Sequence, residues 1–191
     1  NNEIGSIQPI LEISELLKEY PKIHFHVDAV QAIGKVSLSE WLTERVDFAT
    51  FSAHKFHGPR GIGFIYWKKG RRLAPLLNGG GQEKNQRSGT ENVPGILGFA
   101  KACQLAYENL EQRIEHAGKI KAYLLKLLEE NLKDYQINTP KNSSNFHLSV
   151  SIKDIRAEVL LHYLEGDEIY ISTASACSSN GNHKSKTLKE I

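Results

Sequence analysis

The sequence contains no methionine and only two cysteines in 191 residues. Cys103 and Cys177 stand far apart, which excludes the disulfide framework that staples small secreted domains. With no first methionine, Asn1 is expected not to be a native N-terminus. No apolar run reaches membrane-spanning length and no signal-peptide pattern opens the chain, so neither a transmembrane helix nor secretion is expected and the cytoplasm is the default compartment. Long runs of lysine and arginine are missing too: 24 basic against 22 acidic residues leave a formal net charge of +2. That balance offers no footprint for a polyanion, and direct nucleic-acid binding is not expected. Internal repeats and low-complexity segments are absent. A chain that is 40% hydrophobic and 24% charged has an ordinary globular composition and can bury a sizeable core.

The stretch with the most chemistry is Phe51-Ser52-Ala53-His54-Lys55-Phe56-His57-Gly58-Pro59-Arg60-Gly61. It follows an apolar run over residues 46–51 that predicts a buried strand, and it ends in Gly and Pro, where such a strand breaks into a turn. A lysine directly after a buried strand sits at a sheet edge among apolar neighbours, where desolvation favours the neutral, nucleophilic amine. A Schiff-base lysine needs that state, although most lysines after strands are merely solvated. Upstream, residues 23–31 predict a second strand that carries Asp28. The helical segment between the two makes a β–α–β unit with a parallel sheet. Parallel strands end on one edge, so Asp28 and Lys55 can face one ligand.

An acid and a lysine facing one ligand form the pair that pyridoxal phosphate requires: the lysine condenses with the aldehyde and the carboxylate keeps the pyridine nitrogen protonated. His26-Val27-Asp28-Ala29-Val30-Gln31 followed by Ser52-Ala53-His54-Lys55 resembles the cofactor site of the class V aminotransferase superfamily, most closely the NifS/IscS-type cysteine desulfurases. The resemblance continues through Asn1-Asn2-Glu3-Ile4-Gly5, Gly79-Gly80-Gly81-Gln82-Glu83, Arg87-Ser88-Gly89-Thr90-Glu91-Asn92 and Ser175-Ala176-Cys177-Ser178-Ser179, in family order over nearly the whole chain. It implies an α/β fold: the C-terminal part of the large domain of a pyridoxal-phosphate transferase of fold type I, with a mixed, mostly parallel sheet, followed by a small α+β domain. It also implies a fragment. The family's N-terminal phosphate loop, its ring-stacking histidine and a C-terminal arginine for the substrate carboxylate all lie outside the chain, which is expected to be inactive by itself.

Residue by residue, the resemblance implies that Lys55 holds the cofactor, that Asp28 faces its ring nitrogen, and that Asn2 and Gln31 hydrogen-bond its phenolic oxygen. Ser52 and His54 would donate to its phosphate, for which a hydroxyl and an imidazole N–H are suitable. Thr90 would reach the phosphate of a neighbouring subunit's cofactor, making the active unit a homodimer. Local sequence alone offers blander readings: Asn2 as a turn asparagine, Ser52 and His54 as loop polars, and Thr90 as the N-cap of a helix with Pro94 in its first turn. His26 receives no role.

Along the rest of the chain, residues 9–20 predict an amphipathic helix with Ile10, Ile13, Leu16 and Leu17 on one face, ended by Pro21. Residues 38–45 predict a short crossover helix capped by Ser39, and residues 61–67 a strand. Residues 71–92 have the composition of a long functional loop, and residues 92–132 are helical in pattern throughout, as one or two helices. Cys103 falls on their apolar face and reads as a packed core thiol. Strands are expected at 135–139, 146–152 and 169–172, with a helix at 156–164 that turns Val159, Leu160, Tyr163 and Leu164 inward. These elements predict a cofactor-binding domain over 1–100, a linking helix over 101–132 and a small α+β domain over 133–191.

Cys177 lies in a run of small polar residues with no hydrophobic anchor, which predicts exposure and mobility. Reactivity follows thiolate formation and access; a half-buried loop cysteine is the alternative. The resemblance assigns Cys177 as the nucleophile that takes sulfur from L-cysteine and passes it, as a persulfide, to an acceptor protein for iron–sulfur cluster assembly or tRNA thiolation. Cys177 and His183 have no second Cys or His pair to complete a zinc site. A selenocysteine lyase or another class V enzyme, and a non-catalytic docking or dimerisation scaffold, remain the rival readings.

Overall fold

A computed structural model of the protein describes residues 1–173 and 185–191. They form two compact units, one of Pro9–Glu111 and the other of Asn1–Gln8 with Gln112–Ile191.

The Pro9–Glu111 unit begins with helix α1 (Ile10–Leu17), shorter than its apolar pattern. The N–H groups of Lys18, Glu19 and Tyr20 turn to the carbonyls of Glu15, Leu16 and Leu17, so the helix tightens and closes before Pro21. Its buried residue is Ser14, whose hydroxyl meets that of Thr43 at 2.8 Å, whereas Leu16, expected on the apolar face, is exposed. Three strands follow, β1 (His26–Asp28), β2 (Phe48–Ser52) and β3 (Gly63–Trp67), in the order β1-β2-β3. β1 pairs parallel to β2 as expected, with His26 opposite Phe48 and Asp28 opposite Thr50; β3 pairs antiparallel to β2, with Ser52 opposite Gly63. The sheet is therefore mixed.

Alternation along the strands sends Val27, Ala49 and Phe51 to one face. There they meet Ile33, Trp41, Phe99, Ala102 and Ala106 in the main core. The opposite face carries His26, Asp28, Thr50 and Ser52, the polar set. The expected crossover helix shrinks to a single 3-10 turn, Leu38–Glu40. Trp41 is drawn into the core, and the N–H of Thr43 turns to the Trp41 carbonyl at 2.9 Å, which breaks a helical ladder. Ser39 lies inside that turn and bonds the Ser37 hydroxyl at 2.8 Å instead of capping.

Gly63 has a packing reason to be glycine. A Cβ there would stand 2.4 Å from the Phe51 carbonyl oxygen, a backbone atom that cannot swing aside. Gly63→Ala is expected to push β3 off β2 beside Ser52 and lower stability by about 1–3 kcal/mol, read as a lower urea midpoint with an unchanged slope.

A braced loop leads to helix α2 (Gln82–Asn85), in which Glu83, Lys84 and Asn85 all take positive φ. Helix α3 (Val93–Tyr107) has Pro94 in its first turn as expected, but its cap is Asn92, not Thr90: the Asn92 side-chain oxygen accepts the Gly95 N–H at 3.1 Å. Ala102 and Ala106 are small enough for the chain to approach closely, and a Cβ on Gly58 would lie 2.8 Å from Ala53 Cβ and 3.2 Å from Ala102 Cβ. Cys103 is half-buried, and burial pushes its thiol up; Tyr107 is pushed up to about 12 by burial and by Cys103. Cys103 is thus the protonated packing thiol its helical position predicts.

The helical pattern of 92–132 is two helices, broken where Glu108 turns extended and Asn109 takes φ 57°. Asparagine tolerates that left-handed conformation better than most residues. In the second unit, helix α4 (Leu110–Asn131) contains Gly118, which packs against the Asn145 side chain. Strands β4 (Tyr135–Ile137) and β5 (Val150–Ile152) pair antiparallel. The Asn1–Gly5 turn is closed by the Gly5 N–H on the Asn1 carbonyl at 3.0 Å, and Gly5, at φ 74°, receives the Ser144 N–H on its own carbonyl.

Helix α5 (Ala157–Glu165) buries less than its pattern predicts: Val159 and Tyr163 are 60% and 73% exposed. A two-stranded sheet has too little surface to cover them. The expected strand at 169–172 does not form, because the Ile169 N–H returns to the Leu164 carbonyl at 3.0 Å and draws the chain into the turn that ends α5. A last short helix, α6, spans Lys186–Lys189. No helix among the described residues is long and apolar enough to cross a membrane.

Candidate active site

The C-terminal ends of β1 and β2 share one edge, as parallel pairing requires. Asp28 ends β1, exposed, and its Oδ1 accepts the Val30 N–H at 3.0 Å, which holds the carboxylate while the chain turns away. The Ala29 N–H donates to the Thr50 carbonyl at 3.0 Å and closes the last rung. Beyond Ser52 the chain enters a 3-10 turn, Ala53–Phe56, which places Lys55 half-buried just past β2. That turn is pinned at both ends. The Ala53 N–H donates to the Ile62 carbonyl at 3.1 Å and the Gly58 N–H to the Ala53 carbonyl at 2.9 Å, while His57 takes φ 66° to end it. Below, the Phe56 ring meets Phe99 edge-on at 5.3 Å.

The flanking donors are paired with each other: Ser52 Oγ lies 2.9 Å from His54 Nδ1. Gln31, in the turn after β1, is tied to the same edge by a residue that the sequence reading missed. Lys35 Nζ donates to Gln31 Oε1 at 2.9 Å and to the Lys55 carbonyl at 3.4 Å. The fold therefore brings Asp28, Gln31, Ser52, His54 and Lys55 to one sheet edge, in the Pro9–Glu111 unit. Thr90 lies exposed in the loop before α3 of that unit, and Asn2 lies exposed in the other unit. Cys177 falls outside the described residues. His26, unassigned from the sequence, stands on the Asp28 face with Nε2 3.2 Å from the Thr50 hydroxyl.

The opposite ends of the strands hold a second unpredicted feature. Asp47 is fully buried and its carboxylate receives three hydrogen bonds. Its Oδ2 accepts the Phe25 N–H at 2.8 Å and Arg45 NH1 at 2.9 Å; Oδ1 accepts Arg71 Nε at 2.7 Å. In the other direction the Asp47 N–H donates to the Phe25 carbonyl at 2.9 Å, so Asp47 grips both polar groups of Phe25. Arg45 also donates to the carbonyls of Leu17, Tyr20 and Ile23, at 2.9, 3.2 and 2.6 Å. Its signal in the sequence was an acid inside an apolar run, which must be paired if buried. This cluster anchors the ends of β1 and β2 remote from the site.

The donor set can be tested against pyridoxal phosphate. That molecule needs an amine at its aldehyde, a carboxylate at its ring nitrogen, a donor at its phenolic oxygen and hydroxyl or imidazole donors at its phosphate. Lys55, Asp28, Gln31 and the Ser52–His54 pair supply each type on the one edge, so the residues present fit the group.

The family described as aminotransferase class-V matches residues 1–189. A "NifS/IcsS protein homolog" of Lactobacillus delbrueckii subsp. bulgaricus is 49% identical over 189 residues, covering 98% of this chain and 49% of that protein. The "Cysteine desulfurase IscS" of Dictyoglomus turgidum is 40% identical over 193 residues, covering 100% of this chain and 48% of that protein. Among solved structures, a "NIFS-like protein" superposes with a TM-score of 0.80 at 46% identity, covering 91% of this chain and 47% of that one. The chain thus spans about half the length of the curated relatives it matches. The chain belongs to the class-V aminotransferase family, a pyridoxal-phosphate-dependent family, and within it to the NifS/IscS-like members.

Proposed function

We propose that this chain supplies the lysine-bearing half of a pyridoxal-phosphate-dependent cysteine desulfurase, which converts L-cysteine to L-alanine and passes the sulfur on. The observation that carries the reading is the sheet edge where Asp28 ends β1 and Lys55 follows β2, two strands paired parallel. Pyridoxal phosphate, when bound, supplies an electron sink for the bonds around the substrate carbon. Asp28 keeps the ring nitrogen protonated, held for that task by the Val30 N–H. Ser52 and His54 would donate to the phosphate, and Gln31 to the phenolic oxygen. Lys55 would hold the cofactor's aldehyde and, once free of it, would carry protons to and from the substrate carbon.

The Cys177 thiolate attacks the substrate sulfur, and the carbon–sulfur bond breaks with its electron pair going to the carbon side. A proton taken up there completes alanine, and the sulfur stays on Cys177 as a persulfide. From Cys177 it goes to an acceptor protein serving iron–sulfur cluster assembly or tRNA thiolation, in the cytoplasm. Thr90 completes the phosphate site of a second copy, so the working unit is a homodimer. The names of the relatives support the reaction: the protein of Dictyoglomus turgidum is a cysteine desulfurase by name.

The test is an absorbance spectrum of the purified chain with added pyridoxal phosphate, before and after borohydride, followed by peptide mapping. A reducible visible band with its label on Lys55 is expected. A label on any other lysine would overturn the placement of the cofactor on Lys55; no band at saturating cofactor would mean that this chain does not hold the cofactor without further segments.

A further inference from the structure

Gln31 is a carboxamide, and its two ends do opposite work: the oxygen only accepts and the NH2 only donates. Rotating the group by half a turn exchanges them at little cost in shape. An anionic phenolic oxygen placed before it is held by one orientation and repelled by the other. The reading of Gln31 as a cofactor residue therefore leaves one question: what sets the orientation.

Lys35 sets it. An ammonium has three donors and no acceptor, so a lysine in contact with a carboxamide forces the oxygen toward itself. Lys35 Nζ lies 2.9 Å from Gln31 Oε1, and the NH2 is thereby turned the other way. The same ammonium reaches the Lys55 carbonyl at 3.4 Å and links the turn after β1 to the turn after β2 across 20 positions. Its own backbone is fixed: the Lys35 N–H donates to the Ala32 carbonyl at 3.0 Å, and so does the Val36 N–H. Gln31, Lys35 and Lys55 are all half-buried, which screens these contacts less than open solvent would.

We propose that Lys35 is a positioning residue of the cofactor site: its ammonium fixes the Gln31 carboxamide with the N–H groups toward the ligand and ties that residue to the lysine turn. The proposal rests on the reading of Gln31 as a cofactor contact, and its test separates the two. Three variants suffice: Lys35→Met removes the donors and keeps an apolar stem, Lys35→Arg keeps a donor-only head, and Gln31→Ala removes the group being oriented.

In the cofactor-free chain, Lys35→Met is expected to shift the side-chain amide resonances of Gln31 and the backbone amide of Phe56, and Lys35→Arg to leave both near their original positions. With pyridoxal phosphate titrated in, Lys35→Met is expected to weaken binding about 10-fold and Lys35→Arg by less than about 3-fold. In the Gln31→Ala background, Lys35→Met should add no more than about 2-fold, since there is no carboxamide left to orient. Unmoved Gln31 resonances in Lys35→Met, or an undiminished loss in the Gln31→Ala background, would overturn the role of Lys35. If Gln31→Ala alone leaves affinity unchanged while the resonances still respond to Lys35, the reading of Gln31 falls and the orienting contact stands.

Discussion

Replacing Asp47 with alanine lowers the stability of the Pro9–Glu111 unit by about 3–5 kcal/mol, a large share of the roughly 5–15 kcal/mol that holds a typical domain together. The carboxylate is fully buried between Arg45, itself 8% exposed, and Arg71. Taking it away leaves a buried guanidinium without its counter-charge and the Phe25 N–H without an acceptor. Asp47→Asn keeps one oxygen for Phe25 and Arg45 but loses the charge and turns an NH2 toward Arg71, so it should fall between wild type and Asp47→Ala. Urea unfolding checks this; a loss under about 1 kcal/mol for the alanine variant would show that the cluster is not a net anchor.

The same residue sets an acid limit. Burial alone would raise the Asp47 carboxyl, but the Phe25 N–H, Arg71 and Arg45 outweigh it and hold it below the usual carboxylate range. A carboxyl depressed in the folded state contributes stability that is fully present above its unfolded value and is lost as pH falls through the folded one. Stability should therefore decline with acidification below the ordinary carboxylate range, and Asp47→Asn should flatten that slope. A slope identical in the two proteins would assign the acid sensitivity elsewhere.

Replacing Cys177 with alanine in the full-length enzyme cuts sulfur release from L-cysteine by about 10³-fold or more, a barrier increase of roughly 4 kcal/mol. The visible band of bound pyridoxal phosphate should survive, because the residues proposed to hold the cofactor lie elsewhere, at Asp28, Gln31, Ser52, His54 and Lys55. Sulfide and alanine are measured on one sample and the spectrum on another. Loss of the band together with turnover would mean that Cys177 supports the cofactor site, and the division of labour proposed here would be wrong.

Residues with local signatures were readable without coordinates. The parallel pairing of β1 with β2 follows from two apolar runs and the length between them, and it alone puts Asp28 and Lys55 on one edge. The packing role of Cys103 follows from helical periodicity. Local patterns were less able to place ends and caps, where one hydrogen bond decides between neighbours. Asn92 displaced Thr90 as the cap because its side chain reaches Gly95, and the strand expected at 169–172 gave way to the turn that Ile169 closes on Leu164. Val159 and Tyr163 fit an inward helical stripe in sequence, yet lie exposed because burial depends on what stands opposite.

The sequence by itself determined the family, the α/β order of elements and the residue types of the candidate cofactor edge, since each is written in short-range spacing and residue identity. Only the tertiary structure decided which groups meet across long separations. Lys35 reaches the carbonyl of Lys55, and Asp47 draws Phe25 and Arg71 to itself across 22 and 24 positions. Such contacts have no local period or motif. They exist because burying a charge or orienting an amide is favourable only when a partner arrives from elsewhere in the fold, and that arrival is a property of the folded backbone rather than of any stretch of sequence.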